Sequence, residues 1–367
     1  MAKVAIIIPT MNRPDFMLRQ LEFYELMNSP HPVYILDSSN PENAEKLKNG
    51  VEKYKNLNVV YKWFPPGNDY EYQLLPLVKE KYCIQIGDDD LIFPSTISEC
   101  ADFLESYPDY ATCAGKQVNV RFRKHDRIKP YGIIEHQTRP LGRSIEDENM
   151  LVRAKNFWLD QTFLGLSVRR IETERAIRNI TKNFFMMGDM TEFLIMSVLI
   201  TSGKSKSLDK LGQVMQLSDL RSFDHGLVED FLLYSHIVEE WKICLDGFSE
   251  ILTEKGLSKK ESQDAIKGIF IVFLYQQYTT ERFWLAIGNK KSSFAWPDQL
   301  KQDLSNTFSK QGTKGLFKKI RHRASHLPFL RSIYYKFNPP DYVDKPESKY
   351  FDDFKVVKDF LEGRANK

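Results

Sequence analysis

Short apolar runs alternate with stretches of helical periodicity over the amino-terminal quarter of the chain. Four of these runs are rich in β-branched residues and stop at polar or turn residues, as buried parallel strands do: Lys3–Thr10, Val33–Ser39, Asn58–Phe64 and Tyr82–Ile86. Three stretches between them repeat apolar residues with the period of an amphipathic helix: Arg13–Met27, Pro41–Tyr54 and Asp69–Lys81. This alternation predicts right-handed βαβ crossovers and an α/β fold with a mostly parallel sheet flanked by helices.

Further strands and helices follow, and the chain then becomes almost wholly helical. The strands predicted in this part are Tyr110–Val120, Phe163–Arg169 and Lys206–Gln216. The helices are Ser95–Ser106, Asn149–Trp158, one that begins near Arg170, Val228–Cys244, Leu257–Thr280, Glu281–Gly288 and Ser348–Gly363, and Arg121–Asp147 is predicted to be irregular. We therefore expect three units: an α/β domain at 1–226, an α-helical appendage at 227–304 and a basic amphipathic segment at 305–367.

Composition narrows the class of protein. The 367 residues carry a net charge of only +3, so a basic surface for a partner would have to be local. The four cysteines form no CxxC pair, and Cys83 and Cys113 lie inside predicted strands, which indicates buried free thiols in a reducing compartment. Met1–Lys3 leads directly into a strand without a signal-peptide pattern, and no apolar run is long enough to span a membrane. We expect a cytoplasmic protein.

Three adjacent carboxylates, Asp88, Asp89 and Asp90, follow the fourth predicted strand, and Pro94 then opens a helix. Because like charges repel, such a cluster is costly unless a cation shares it. Hard divalent ions take oxygen ligands and often bridge substrate phosphates, and ligands of open α/β sheets bind beyond the carboxyl ends of the strands. The acids therefore predict a metal and nucleotide site. The alternative is a solvated acidic turn that caps the next helix.

The first two strands also end in polar residues, Thr10 to Arg13 and Asp37 to Asn40, which should meet the acids at one edge of the sheet. In this order, the motifs IIIPTMNRP, ILDSS and QIGDDDLIFP resemble the N-terminal half of the family 2-like, GT-A-fold glycosyltransferases. The resemblance covers Lys3 to about Pro94 and is looser as far as about residue 225.

The resemblance implies a GT-A fold and a nucleotide-sugar donor. The residues that it implies for donor binding are Thr10, Asn12, Arg13, Asp37, Asp88 and Asp89. It also implies Mg²⁺ or Mn²⁺ on Asp88 and Asp90. Gly87 stands in place of the first aspartate of the family motif, so which two of the three acids bind the ribose and the metal stays open.

The same resemblance implies a catalytic base at the start of a helix below the acceptor site. Asp189 precedes the apolar stretch Phe193–Ile200 and is the predicted base, although its carboxylate could instead serve only to cap that helix. A loop that closes over the donor is expected near residues 217–226. Within it, Arg221 would neutralise the leaving diphosphate and His225 would be a third metal ligand, unless both side chains are simply solvated.

Residues 310–337 combine lysines and arginines with aromatic and apolar residues, and no acidic residue lies between Asp303 and Asp341. Pro328 divides this basic segment into two short amphipathic pieces. The pattern is typical of peripheral contact with anionic lipid. A nucleic-acid patch and a surface packed on acids of the helical appendage are the alternatives. No nucleic-acid-binding motif accompanies the segment, so we expect contact with the inner face of the cell membrane and no nucleic-acid partner.

These features lead to one main hypothesis, a metal-dependent, inverting glycosyltransferase of cell-surface polysaccharide synthesis. It would move a sugar from a nucleotide-sugar donor to a hydroxyl group of a glycan or a lipid-linked acceptor. A sugar nucleotidyltransferase would carry a glycine-rich loop after the first strand, and Pro9–Arg13 contains no glycine. A non-catalytic binding or scaffold protein stays open, because Gly87 replaces the first aspartate of the motif.

Overall fold

The computed structural model describes residues 2–65, 73, 75–160, 166–184, 189–217, 235–288 and 342–364, and for residues 160, 189 and 277–288 it describes the backbone alone. The strands in these ranges are β1 Val4–Thr10, β2 Val33–Asp37, β3 Val59–Trp63, β4 Tyr82–Gln85, β5 Leu91–Ile92, β6 Tyr110–Phe122, β7 Ile134–Gln137, β8 Val168–Arg170 and β9 Lys204–Gln216. The helices are α1 Pro14–Leu26, α2 Pro41–Val51, α3 Pro94–Ser106, α4 Met150–Asp160, α5 Ile171–Thr181, α6 Asp189–Ser202, α7 Ile237–Glu254, α8 Lys259–Gly288 and α9 Phe351–Leu361.

The strands form one sheet in the order β3-β2-β1-β4-β8-β6-β9-β5, and β7 pairs with β6 off this path. The long ladders are parallel: β1 with β2 and β4, β2 with β3, and β6 with β9. The antiparallel ladders, which involve β5, β7 and β8, are short. The predicted α/β class, with a mostly parallel sheet flanked by helices, is confirmed.

Several stretches differ from the predictions: β5 was not predicted, and α7 continues beyond the predicted end at Cys244 to Glu254. In the described part of the predicted helix Asp69–Lys81, Gln73 is helical and Leu75–Leu77 form a 3₁₀ turn rather than a continuation of the helix to Lys81, because Pro76 has no N–H group to donate. The stretch predicted to be irregular, Arg121–Asp147, contains β7, which extends the sheet beside β6. The two predicted helices Leu257–Thr280 and Glu281–Gly288 are the single helix α8, since neither glycine nor proline interrupts the chain at their junction.

Two buried clusters form the core of the described chain. The first joins the sheet to α1, α3 and α9, and its buried residues include Ile6, Ile84 and Phe354. The second lies among α4, α5, α6, α7 and α8, and includes Trp158 and Phe248. Helix α9 thus packs against the amino-terminal sheet although it follows the helical part in sequence. The predicted division at residues 226 and 304 stays a prediction.

All four cysteines, Cys83, Cys100, Cys113 and Cys244, are buried free thiols, as the sequence predicts. Over the ranges given above, no helix combines the length and the apolar character required to cross a membrane.

A buried ion network ties α5 to the strand beside β4. Glu174 accepts a hydrogen bond from Arg169 Nε at 2.6 Å and one from Arg178 Nε at 2.7 Å. Burial alone would raise the pKa of Glu174, but the two guanidinium groups outweigh this effect and lower the pKa to about 2. Since Arg169 lies on β8, which pairs with β4, the network fixes a helix beside the strand that leads to Asp88–Asp90.

We expect Glu174→Gln to lower the free energy of unfolding by about 3 kcal/mol, because the loss of one partner from a buried ion network is costly. The folded pKa lies below the ordinary value of 4.5, so this contribution is present above pH 4.5 and is lost as the pH falls toward 2. Urea denaturation from pH 7 to pH 3 measures it. Glu172→Gln, on the exposed face of the same helix, is the matched control and should change stability by less than about 0.5 kcal/mol. A variant that unfolds like wild type at pH 7 would contradict the prediction.

Candidate functional site

The carboxyl ends of β1, β2 and β4 meet at one edge of the sheet. Thr10 pairs with Asp37 at the end of the ladder between β1 and β2. Asp88 follows β4 on the other side of β1, and its Oδ2 accepts a hydrogen bond from Thr10 Oγ1 at 2.7 Å. The parallel register therefore brings three predicted site residues together from three separate strand ends.

Arg13 bridges two of the three carboxylates in the acidic turn, which we define as residues 87–90. Its Nη1 lies 2.9 Å from Asp88 Oδ1 and its Nη2 lies 2.9 Å from Asp89 Oδ2. The guanidinium carbon is 4.2 Å from the centre of the Phe16 ring, and the Arg13 side chain is 12% exposed. Arg13 is also the N-cap residue of α1, with Pro14 at the first helical position. The start of α1 thus places a fixed positive charge on the acids.

The acidic turn is largely desolvated. Burial raises the pKa of Asp88 to about 6; the charge of Arg13 opposes this shift and that of Asp89 adds to it. For Asp90, burial and the charge of Asp89 raise the pKa well above its ordinary value, and a hydrogen bond from the Gln216 amide works in the opposite direction. Two of the three carboxyl groups therefore sit in surroundings that disfavour their charge, and the turn favours a positively charged ligand.

Two polar residues of α1 that the sequence analysis missed hold the backbone of the acidic turn. Arg19 Nη2 donates to the Asp89 carbonyl at 2.6 Å. Gln20 Nε2 donates to the carbonyl oxygens of Gly87, at 2.9 Å, and Asp90, at 2.6 Å. A signal was present, because Gln20 interrupts the apolar stripe of the predicted helix.

Asp37 is fully buried, and both of its carboxylate oxygens have partners within the chain. Oδ1 accepts from the Ser39 amide at 2.8 Å and Oδ2 accepts from the Tyr61 hydroxyl at 2.7 Å. Trp63 Nε1 donates to the Ser39 carbonyl at 2.9 Å. Asp37 in this structure organises the connection after β2. Its predicted contact with the nucleoside stays a prediction, and Tyr61 is a partner that the sequence analysis did not identify.

Asn12 links the connection after β1 to the connection after β2. Its φ angle is +56°, a left-handed conformation that asparagine adopts more readily than most residues. Its amide donates to Ser39 Oγ at 2.7 Å, and its Oδ1 accepts from the Asn40 amide at 3.0 Å. Asn12 therefore fixes two neighbouring loops at the edge of the sheet where the nucleotide-sugar site is predicted.

The predicted metal site is not a preformed cage. In the described residues, no three His, Cys, Asp or Glu side chains are placed to hold an ion. Arg13 and Thr10 occupy the two oxygens of Asp88, and Asp90 Oδ1 accepts from the Gln216 amide at 3.1 Å. Two carboxylates that share an ion with the phosphates of a ligand are a common arrangement for Mg²⁺. The chemistry of the acids fits that arrangement, whereas the contacts of Arg13 oppose an ion that binds alone.

The remaining predicted site residues are described in part or not at all. Asp189 is the first residue of α6, inside the helix rather than at the predicted N-cap position before it, and its role as a base stays a prediction. Arg221 and His225 lie outside the described residues, as does the basic segment 310–337.

Comparisons with known proteins give distant likenesses in fold. No protein-family model and no curated protein matches the chain. The crystal structure of S. aureus TarS 1-349 in complex with UDP-GlcNAc has 15% sequence identity and a TM-score of 0.49, over 78% of this chain and 76% of that chain. TarS 1-349 without a named ligand has 16% identity and a TM-score of 0.40, over 81% and 94% of the two chains. A structure of TarS has 14% identity and a TM-score of 0.41, over 77% of this chain and 55% of that one.

We expect Tyr61→Phe to lower the free energy of unfolding by about 2 kcal/mol, because a buried carboxylate loses one of its hydrogen-bond donors. Thermal and urea unfolding measure the change. Tyr342→Phe, an exposed tyrosine in the described carboxyl-terminal part, is the control and should stay within about 0.5 kcal/mol of wild type. Equal stability of the two variants would show that Tyr61 does not support Asp37.

Proposed function

We propose that this protein is a glycosyltransferase that takes its sugar from a nucleotide-activated donor bound at the acidic turn. The observation that carries the proposal is the meeting of Thr10, Arg13, Asp88 and Asp89 at the carboxyl edge of parallel strands, where open α/β sheets bind their ligands. A hydroxyl, a guanidinium group and desolvated carboxylates there provide polar groups for a sugar nucleotide. The resemblance of the three sequence motifs supports the same donor class.

Each residue at this edge has a proposed part in donor binding. Asn12 and Asp37 shape the loops that hold the nucleoside, and Thr10 and Asp88 form the floor beneath its ribose.

Arg13 is partly exposed and carries two N–H groups that match the geometry of phosphate oxygens. On donor binding, Arg13 turns from Asp88 and Asp89 towards the diphosphate. Arg221 joins it there as the leaving group separates.

Mg²⁺ or Mn²⁺ is the proposed cofactor, bound by Asp88 and Asp90 and completed by His225. When bound, such an ion would stabilise the negative charge of the departing diphosphate. Because Arg13 already neutralises the acids, the carboxylates become available to a cation only as Arg13 leaves them. We therefore propose that ion and donor bind together.

The acceptor half of the reaction rests on Asp189 at the start of α6. Its carboxylate is proposed to take the proton from the acceptor hydroxyl, which would then attack the anomeric carbon in a single inverting displacement. The basic segment 310–337 suits an acceptor held at a membrane surface, such as a lipid-linked glycan at the inner face of the cell membrane.

The second candidate is a non-catalytic protein that binds a sugar nucleotide. The observation that favours it is the ion pair of Arg13 with Asp88 and Asp89, since these two acids already share a cationic partner within the chain. Release of nucleoside diphosphate from the donor separates the two functions. A transferase hydrolyses its donor slowly without an acceptor, and Asp189→Asn should slow this release about 100-fold while donor binding persists. A binder releases nothing.

We expect one class among UDP-, GDP-, CDP-, CMP- and dTDP-sugars to raise the melting temperature in the presence of Mn²⁺, because binding to the folded state alone stabilises it. UDP-GlcNAc, the ligand of one TarS structure, is the first probe. Calorimetry then gives the dissociation constant. Asp88→Asn and Asp89→Asn should each weaken donor binding about tenfold or more, since each removes a charge at the turn.

Asp15→Asn is the matched control for these variants. Asp15 lies in the first turn of α1, close in sequence to Arg13, but its carboxylate is exposed and pairs with Lys46. It should bind donor as wild type does. If no sugar nucleotide shifts the melting temperature with or without Mn²⁺, the proposed function is wrong.

We expect Arg13→Gln to bind Mn²⁺ in the absence of any nucleotide about tenfold more tightly than wild type, because the variant frees two carboxylates from their counter-ion. Electron paramagnetic resonance of free Mn²⁺ measures the affinity directly. Arg175→Gln removes an exposed arginine from α5 and should leave the affinity unchanged. Unchanged Mn²⁺ binding in Arg13→Gln would exclude the exchange of Arg13 for a metal ion.

A further inference from the structure

Arg19 is a buried cation that lacks an ion-pair partner among the described residues. It is 1% exposed, and its guanidinium group donates to three neutral oxygens: the Asp89 carbonyl, the Pro130 carbonyl and Gln216 Oε1. Burial lowers its pKa to about 10, so the side chain is still charged at neutral pH, and the negative charge of Asp89 favours that form. A charge buried without a paired partner is costly, and the nearby acidic turn offsets the cost.

Arg19 and its neighbour Gln20 hold the backbone of the acidic turn by hydrogen bonds from α1. The two side chains donate to three of the four carbonyl oxygens in the turn, those of Gly87, Asp89 and Asp90. Within the turn itself, the Asp90 amide donates to the Gly87 carbonyl at a longer 3.3 Å. The path of the backbone that presents the carboxylates is thus set by α1 more than by the turn.

Gln216, at the end of β9, contacts both the acidic turn and Arg19. Its amide donates to Asp90 Oδ1 at 3.1 Å, and its Oε1 accepts from Arg19. Its Nε2 donates to the Lys129 carbonyl at 3.0 Å, next to the Pro130 carbonyl that Arg19 also contacts. One arginine therefore connects the acidic turn to the end of β9 and to the segment that precedes β7.

Helix α9 fixes that segment from the other side. The Gly132 amide donates to the Leu361 carbonyl at 3.0 Å. The ring of Phe360 lies between Tyr131, at 5.7 Å between ring centres, and Phe23 of α1, at 5.3 Å. The carbonyl groups at residues 129 and 130 are therefore held between α1 and α9.

We propose that Arg19 is a positioning residue that sets the geometry of the acidic turn, and that α9 acts on the turn through residues 129–132 and Arg19. The inference rests on the proposed function only in treating the turn as the donor site. Lysine cannot replace Arg19, because a single ammonium group lacks the planar fork that reaches acceptors on several elements.

Amide hydrogen exchange of the peptide covering residues 86–93 tests the proposal without a ligand. In Arg19→Lys we expect exchange in this peptide to accelerate about tenfold at matched global stability. Arg153→Lys is the control: Arg153 is also a buried arginine that donates to backbone carbonyls, those of Ile200 and Asp147, but it lies at the second core cluster. It should leave the peptide unchanged.

Donor hydrolysis supplies the second measurement. A displaced turn raises the donor KM, by about tenfold in Arg19→Lys, and changes kcat less than about threefold. A loss of folded protein does the opposite, since it lowers the apparent kcat and leaves KM unchanged. Equal acceleration of exchange in Arg19→Lys and Arg153→Lys, or a fall in kcat alone, overturns the proposal.

If Arg19→Lys does not fold, a variant that keeps Arg19 tests the proposal instead. Gln216→Leu removes two side-chain hydrogen bonds, the one that Gln216 accepts from Arg19 and the one that it donates to the Lys129 carbonyl. It keeps the backbone amide that donates to Asp90. It should accelerate exchange of the same peptide about threefold, and no acceleration there overturns the proposal. If wild type binds no sugar nucleotide, the proposed function fails while the exchange comparison still decides the role of Arg19.

Discussion

The pairing of Arg13, at the start of α1, with two of three adjacent carboxylates is the interaction on which the site depends. Asp88, Asp89 and Asp90 are adjacent, and two of them are raised in pKa mainly by burial. Arg13 pairs with the side chains, whereas Arg19 contacts the backbone and contributes its charge from within the core. Of the three acids, Arg13 pairs with Asp88 and Asp89 only, and burial together with the charge of Asp89 raises the pKa of Asp90, so the surroundings of the turn disfavour further negative charge. Arg13 and the proposed metal ion would therefore balance the charge of the same carboxylates, Arg13 before the ion binds and the ion afterwards.

The position of the turn in the sheet explains why this helix is the one that serves it. The acidic turn leaves β4, in the middle of the strand order, and leads to β5 at its end. β1 lies beside β4, and α1 follows β1 directly, so α1 is the element that the crossover brings beneath the turn. β8 flanks β4 on the other side and runs antiparallel to it. The acidic turn thus lies where the parallel ladders that join β1 to β4 give way to the antiparallel pairing of β4 with β8.

The sequence allowed the parallel half and its strand ends to be predicted, because both follow from local patterns. Strict apolar runs indicate buried strands, and parallel strands place Thr10, Asp37 and Asp88 at one edge without any knowledge of packing.

The rest of the sheet and the supports of the site depend on contacts between distant residues. β8 has only three residues, too few for a periodic signal, and its direction is set by its neighbours. The partners of Arg19 include Gln216, which lies far along the chain, so no local pattern could identify them. Asp37 shows a further limit: its position was predictable, but its full burial beneath Tyr61 was not.

The return of α9 to the first helix has a consequence for the order in which the protein assembles during synthesis. The strands, α1 and the acidic turn all emerge from the ribosome early, and domains generally fold in that order. Residues 129–132, however, gain their contacts with Leu361 and Phe360 only after α9 has been synthesised. The Pro130 carbonyl that accepts from Arg19 lies in this segment, so its position is fixed only once α9 is present. The carboxylates of the acidic turn are therefore present in the growing chain before the segment that helps to hold their backbone is itself held, so the geometry of the turn is completed only after synthesis of α9.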